Sequence, residues 1–308
     1  MRYPLASLLL FLSLIPRLAL SQPATARREP LQSSIETIAA AVNGNVGVAI
    51  MRLETGGIIS LHGNDRFPMQ SVYKFPIAMA VLHQIDQGKR SLDTKIHVDG
   101  RDYAPAGMHS PLRDTYSPGP ADITISELLR YSVSESDGTA CDVLLRILGG
   151  PKKVEAYIHG LGIREIAIAT TEKEMAAGPM VQYRNWCHPA AMARLLNAFF
   201  MGKGLSPASH ALLSSLMINT TTGLKRIRGR LPAGTVVEHK TGTARTSGGM
   251  TRATNDVGII TLPNGDHIAV AVFISDSRSD EGTRESTIAG IARAAWNYAV
   301  GGGRWEPR

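Results

Sequence analysis

The sequence predicts an α+β fold: an antiparallel five-stranded sheet flanked by the terminal helices, with an all-helical lobe inserted into it. Three observations predict it. Helical periodicity opens and closes the chain. Alternating apolar stretches with tight turns lie just inside both ends. A long middle region reads as helices broken by loops rich in Gly, Pro and Ser. With 308 residues, of which 44 % are hydrophobic and 19 % charged, the composition is globular rather than disordered. The length suits one large domain or two lobes sharing an interface.

The chain begins MRYPLASLLLFLSLIPRLALS. Arg2 supplies a positive start, Leu5 to Ile15 an apolar core, and Ala19 and Ser21 small residues at the −3 and −1 positions. This pattern is a secretory signal peptide, residues 1–21, cleaved after Ser21. The apolar run is short for a bilayer and is interrupted by Pro16-Arg17. The expected product is an exported, periplasmic protein with no membrane span in its mature form. Residues 22–32 read as a flexible leader. A helix is expected from Ser33, with Ser34 as candidate cap and Glu36 in its first turn. NVGVAIMRLETGGIISLHG alternates around a Gly-Gly turn and predicts a hairpin. From residue 71 to about 220 the pattern is mostly helical. Three strands follow, in TVVEHKTGTA and NDVGIITLPNGDHIAVAVFIS, with Asn264-Gly265 at a tight turn. STIAGIARAAWNYAV closes as a helix. The mature chain, 22–308, is therefore expected to be a single domain. Its α/β lobe takes about 33–65 and 221–303, and its helical lobe about 66–220.

Net charge is +7; losing residues 1–21 removes Arg2 and Arg17 and no acid, which leaves +5. The basic residues are scattered and not interleaved with aromatics, which argues against a nucleic-acid partner. Cys141 and Cys187 are the two cysteines, and Cys141 falls in an apolar helical pattern as a small buried filler. No HExxH or CxxC occurs, and His62, His83 and His239 are isolated, so no metal or other cofactor is expected.

The chemistry starts in 70-QSVYKFPIAMAVLHQID-86. Pro76 is tolerated only near a helix start, so the helix should begin around Ser71. Ser71 and Lys74 are then three residues apart and share a face. A serine hydroxyl needs a neighbouring base, and a lysine serves if its proton can be managed by its surroundings. Free N–H groups at the helix start suit a developing oxyanion. S-x-x-K alone is a weak signal, equally readable as a capping serine and a surface lysine. Two further motifs follow in order: Ser136-Asp137-Gly138 before an apolar helix, and Lys240-Thr241-Gly242 on a predicted strand. Glu172 lies in a polar loop between them, with Glu174 as the competing acid. S-x-x-K, S-D-x and K-T-G in this order form the signature set of serine β-lactamases and penicillin-binding proteins.

On these motifs, and on PMQSVYKFPIA, YSVSESD, TTTG, HKTGT, ATNDVGIITLPNG and WNY, the mature chain resembles class A serine β-lactamases along its whole length. It looks most like their PER- and VEB-type extended-spectrum branch. The resemblance implies the serine β-lactamase and penicillin-binding-protein fold, a monomer, and a β-lactam as the small-molecule substrate. It implies Ser71 as the acylated nucleophile and Lys74 as its proton-handling partner. Ser136 would pass a proton to the leaving nitrogen. Lys240, Thr241 and Thr243 would bind the substrate carboxylate, and the N–H groups of Ser71 and Thr243 would hold the oxyanion. Glu172 would activate the deacylating water. Whether Lys74 or Glu172 takes the serine proton is open for the family. Lys240 near Lys74 is expected to favour a neutral Lys74. Gly242 is expected to let substrate approach the strand.

Several positions depart from the usual pattern. Gly138 stands where an asparagine binds the substrate amide, which removes a polar contact and is expected to open space. Ala176 replaces a residue that helps hold the deacylating water. Thr170 and Asn185 occupy the positions of an Arg–Asp clamp in many relatives, a clamp the PER and VEB types also lack. Their wider sites imply that oxyimino cephalosporins are substrates. His109 falls where an aromatic lines the cleft, and Arg226 is expected to add positive charge at the carboxylate site. Two rivals remain open on sequence: a D,D-peptidase, and a receptor that acylates and stays acylated. Deacylation rate separates the second from an enzyme.

Overall fold

The computed structural model describes residues 29–303 and 305. The signal-peptide reading lies outside them. The N-terminal helix α1 spans Glu29–Ala39, so it begins before Ser33 and carries Ser34 in its body rather than at its cap. Residues 29–32, expected in the leader, are part of this helix. Apolar Leu31, Ile35 and Ala39 fall on one side of α1, and that spacing drives the helix to continue through the two serines.

The main sheet contains β1 (Asn45–Arg52), β2 (Ile58–Leu61), β3 (Val237–Thr243), β4 (Thr254–Thr261) and β5 (His267–Ser275), in the spatial order β2-β1-β5-β4-β3. Every pairing is antiparallel. The sheet buries both faces, and alternation along each strand sorts its side chains between two cores. Val46, Val48, Ile50, Ile268, Val270 and Val272 pack under α1 and the C-terminal helix. Ala49, Met51, Ala269, Ala271 and Phe273 face the helical region.

Between β2 and β3 the principal helices are α2 (Lys74–Asp86), α3 (Ile125–Ser134), α4 (Gly138–Leu148), α5 (Pro151–Gly160), α6 (Glu172–Met175), α7 (Pro189–Phe200) and α8 (Pro207–Ile218); α9 (Glu281–Val300) closes the chain. α2 is buried all round its first nine residues, from Lys74 to Leu82, which makes it the centre of this region. Three short ladders join these helices: Phe67–Pro68 with Trp186–Cys187, that segment with Ile166–Ala167, and Lys95–Val98 with Ala121–Thr124. They are too short to show as period-two patterns in the sequence. Among the described residues no helix is long and apolar enough to cross a membrane.

β3 lies at one edge of the sheet, paired with β4 on one side only. Its free edge faces the turn that precedes α2. That placement builds the cleft.

Candidate active site

The helix carrying the S-x-x-K motif starts as expected but in two steps. Gln70–Tyr73 form a 3-10 turn that runs directly into α2 at Lys74. Pro76 thus falls in the first turn of α2, where its missing N–H costs nothing. The Lys74 ammonium donates to Ser71 Oγ at 2.8 Å and to the Ser136 carbonyl at 2.9 Å. It also pairs with Glu172 Oε1 at 2.8 Å. Oε1 is buried and receives no hydrogen bond of good geometry, so it keeps acceptor capacity beside Lys74.

Ser136 adopts φ +60°, and both its oxygens are used. Its carbonyl takes Lys74, while its hydroxyl accepts from Lys240 Nζ at 2.9 Å. Residues far apart in sequence thereby form one continuous line: Glu172, Lys74, Ser136, Lys240. Asp137 does not enter that line. It caps α4 through the Ala140 N–H at 2.7 Å and takes the Leu112 N–H at 2.7 Å, which ties the loop before it to the helix.

Both lysines are fully buried, and their charges diverge. Burial works against a charged Lys74, but the Glu172 carboxylate, with smaller help from Cys141 and Asp137, outweighs it and holds the amine above its ordinary range. Burial, then the charge on Lys74, pushes Lys240 well below its ordinary range. The expectation that Lys240 neutralises Lys74 is therefore reversed. The carboxylate touches Lys74 directly, and a contact ion pair beats a more distant like charge.

The competing acid is spoken for. Thr171 caps α6, and Glu174 closes the reciprocal capping box, accepting from the Thr171 N–H at 2.9 Å and the Thr170 hydroxyl at 2.8 Å. Glu172 alone of the two lines the cleft. Asp142 supports it from below: its two oxygens take the N–H groups of Glu172 at 2.8 Å and Lys173 at 3.0 Å. Burial, then the nearby Glu172 charge, raises the Asp142 carboxyl to about 7. Thr170 and Asn185 form a neutral clamp at the loop base. Asn185 Oδ1 accepts the Ala169 and Thr170 N–H groups, and its amide donates to the Thr170 carbonyl.

The cleft has a volume of about 520 Å³ and is lined by Ser71, Lys74, Ser136, Glu172, Thr241 and Thr243, as expected, together with His109 and Ala176. The His109 ring is fixed by a 2.8 Å contact from Nε2 to the Glu135 carbonyl. Thr241 shares a 2.6 Å hydrogen bond with the Thr222 hydroxyl.

Three expectations are corrected by the structure. A Cβ on Gly242 would lie 2.3 Å from the Met69 carbonyl oxygen. The glycine therefore lets β3 approach the serine-bearing turn, rather than clearing room for substrate. Gly138 is buried as the first residue of α4 and does not line the cleft. A Cβ there would meet the His109 carbonyl at 3.3 Å and Met108 Cε at 3.7 Å, so the space is filled by the neighbouring loop and not open. Arg226 is 4 % exposed and stands behind β3. It pairs with Glu285 at 3.2 Å and donates to the Thr243 hydroxyl at 2.9 Å, so it acts on the cleft only through Thr243.

Other residues escaped the sequence reading. Arg245 and Arg252 bring charge to the cleft wall, and Gln70, Met108 and Gln182 line it. Asn255 on β4 donates to the Pro68 and Met69 carbonyls at 2.8 and 3.0 Å, anchoring the serine turn to the sheet. Its place in the quoted ATNDVGII was visible, but its partners lie 187 and 186 residues away. Cys141 and Cys187 are free and buried; the Cys141 thiol donates to the Tyr73 hydroxyl at 3.2 Å.

The family model described as the beta-lactamase enzyme family matches residues 30–299. The extended-spectrum beta-lactamase PER-1 of Pseudomonas aeruginosa is 41 % identical over 90 % of this chain and 90 % of its own length. Beta-lactamase VEB-1 of the same organism is 39 % identical over 89 % of this chain and 91 % of its own. Among solved structures, a beta-lactamase from Chitinophaga pinensis superposes with a TM-score of 0.85 at 49 % identity, covering 87 % of this chain and 99 % of that one. TLA-1 extended-spectrum beta-lactamase superposes at 0.86 with 44 % identity, covering 89 % and 99 %. Matched over nearly all of its described length, the chain belongs to the beta-lactamase enzyme family, as a class A member.

Proposed function

We propose that this β-lactamase works through an acyl-enzyme on Ser71, deacylated by a water that Glu172 activates. The observation that carries the reading is the Lys74 ammonium, which donates to Ser71 Oγ and the Ser136 carbonyl while it is ion-paired with Glu172. A charged Lys74 donates to the serine and cannot accept from it. A proton passed from Lys74 to Glu172 along their contact frees the amine to take the Ser71 proton. Ser71 Oγ then attacks the ring carbonyl carbon, and the N–H groups of Ser71 and Thr243 stabilise the oxyanion. The C–N bond breaks, and the Ser136 hydroxyl protonates the departing nitrogen, drawing on Lys240, to which it is bonded. The proton left on Glu172 makes good the one Lys240 gave up, which returns Glu172 to a carboxylate. Water then attacks the ester and gives its proton to Glu172, the Ser71 oxygen leaves with a proton from Lys74, and Glu172 hands its proton back to Lys74.

Lys240, Thr241 and Thr243 bind the substrate carboxylate, with Arg226 orienting the Thr243 hydroxyl. The likeness to extended-spectrum enzymes and the roomy cleft favour penicillins, cephalosporins and oxyimino cephalosporins as substrates. The sequence pattern at residues 1–21 favours export to the periplasm, and the likeness to the family favours a monomer of one catalytic domain. The test mixes purified protein with a chromogenic cephalosporin and follows turnover and intact mass together. Many turnovers per molecule, abolished in Ser71→Ala, are expected. Turnover that survives Ser71→Ala overturns the nucleophile. A single burst with a lasting adduct means a trap, and places the fault at Ala176, which offers no group to hold water.

A further inference from the structure

We infer that Gln182 is a positioning residue for acyl transfer: its side chain tethers Gln70 in a positive-φ conformation and so aims the Ser71 N–H at the substrate carbonyl oxygen. The inference rests on the proposed role of that N–H in the oxyanion hole.

Gln70 has φ +47°, a conformation that an L residue with a Cβ adopts under strain. The chain is held on either side of it. Met69 donates its N–H to the Asn185 carbonyl at 2.9 Å, and its own carbonyl is taken by Asn255 at 3.0 Å. After it, the Ser71 carbonyl accepts the N–H of Lys74 as the helix starts. Gln70 is the joint between these two fixed pieces, and its backbone angles set the direction of the Ser71 N–H.

The side chain of that joint is held from the loop that carries Glu172. Gln70 Nε2 donates to Gln182 Oε1 at 2.6 Å. Gln182 is 6 % exposed, and its Nε2 donates to the Pro179 carbonyl at 2.6 Å. With its amino group occupied on its own loop, the Gln182 amide has one orientation that satisfies both partners, and it presents oxygen to Gln70. The tether is thus rigid at its far end. Both glutamines line the cleft.

The test uses Gln182→Leu, which keeps the volume and removes the acceptor. It is expected to lower kcat about tenfold with KM little changed, for a small penicillin and a bulky cephalosporin alike. Complete loss of an oxyanion donor costs about 10²–10³-fold, and a misaimed donor costs part of that. Gln182→Glu keeps an acceptor for Gln70 but sets a carboxylate oxygen against the Pro179 carbonyl, so it is expected to restore only part of the rate. The sharper arm is Gln70→Gly combined with Gln182→Leu. Glycine takes positive φ without strain, so the tether becomes unnecessary and the rate returns. A merely structural role for Gln182 predicts no rescue by Gln70→Gly.

Infrared spectra of acyl-enzyme trapped in a Glu172→Gln background give a second readout. The ester carbonyl is expected at higher wavenumber with Gln182→Leu, and back at its original position with Gln70→Gly added. An unchanged rate and carbonyl band in Gln182→Leu overturn the inference, as does a loss that Gln70→Gly leaves in place. If Glu172→Gln accumulates no acyl-enzyme, the deacylation reading fails by itself, and the kinetic rescue still judges the tether.

Discussion

The two walls of the cleft are held in different ways. On one side, Thr241 and Thr243 line the cleft from β3, with Lys240 buried behind it against the Ser136 hydroxyl, and the register of β3 is set by seven paired residues of β4. On the other, Glu172 sits in the segment between Ala167 and Trp186, which has one turn of α-helix and one 3-10 turn. That segment is tied down by side chains: Asn185 at its base, Asp142 beneath Glu172, Gln182 to Gln70, and the Tyr183 hydroxyl to Asp276. A strand held by backbone bonds keeps its geometry through most side-chain changes. A loop held by side chains loses its geometry one residue at a time. The carboxylate-binding wall should therefore resist substitution, while the loop offers many single changes that impair one chemical step.

The largest effect should come from the loop. Glu172→Gln removes the base that activates water, for which a loss of about 10²–10⁴-fold in turnover is expected. Without the Glu172 carboxylate Lys74 loses the charge that holds its proton, so the amine can take the Ser71 proton unaided, and acyl-enzyme should accumulate and be seen by intact mass; if turnover and acylation fall together instead, Glu172 serves both steps equally and the walls do not divide the chemistry. Next comes the strand's weak point. Gly242→Ala drives a methyl against the Met69 carbonyl, an overpacking worth about 1–3 kcal/mol, and pushes β3 away from Ser71. Acylation and deacylation should slow together, and rapid-quench rates of the two steps will show whether they do.

Asn185→Leu strips two loop N–H groups and a carbonyl of their partner. It should cost about 1–3 kcal/mol in denaturant unfolding and slow deacylation more than acylation. Equal slowing would mean that the clamp supports the whole cleft. The smallest effect is a pH dependence. The folded carboxyl of Asp142, at about 7, lies above its ordinary 3.8. A raised acid contributes stability that is fully present below the unfolded value and is lost as pH rises through the folded one. Asp142→Asn, which mimics the protonated form but turns one donor toward a backbone N–H, should cost more stability at pH 5 than at pH 8. A difference in melting temperature that does not change between those pH values would remove Asp142 from the titration.

Much of this arrangement was readable from the chain. The α+β order, the hairpins and the motif residues follow from local periodicity, turn chemistry and short spacings. Ser34 was misread because a serine is a good cap anywhere, and only the extent of the apolar stripe on α1 shows where the helix starts. Glu172 and Glu174 could not be separated by spacing, since both lie in one short turn; the capping box settles which one is structural. Gly138 and Gly242 were read as making room for substrate. A glycine in sequence states only that a Cβ is absent, and what fills the vacated space belongs to other segments.

By itself, then, the sequence determined which groups are available: a serine and a lysine one turn apart, a second serine, a loop acid and a lysine on a strand. It did so because helix and turn geometry relate residues three or four apart. Tertiary structure alone decided how they act. Lys240 reaches Ser136 across 104 residues, and Lys74 meets Glu172 only when α6 folds against α4. Protonation followed from that meeting, because a carboxylate at 2.8 Å inside a buried cluster outweighs the desolvation of Lys74.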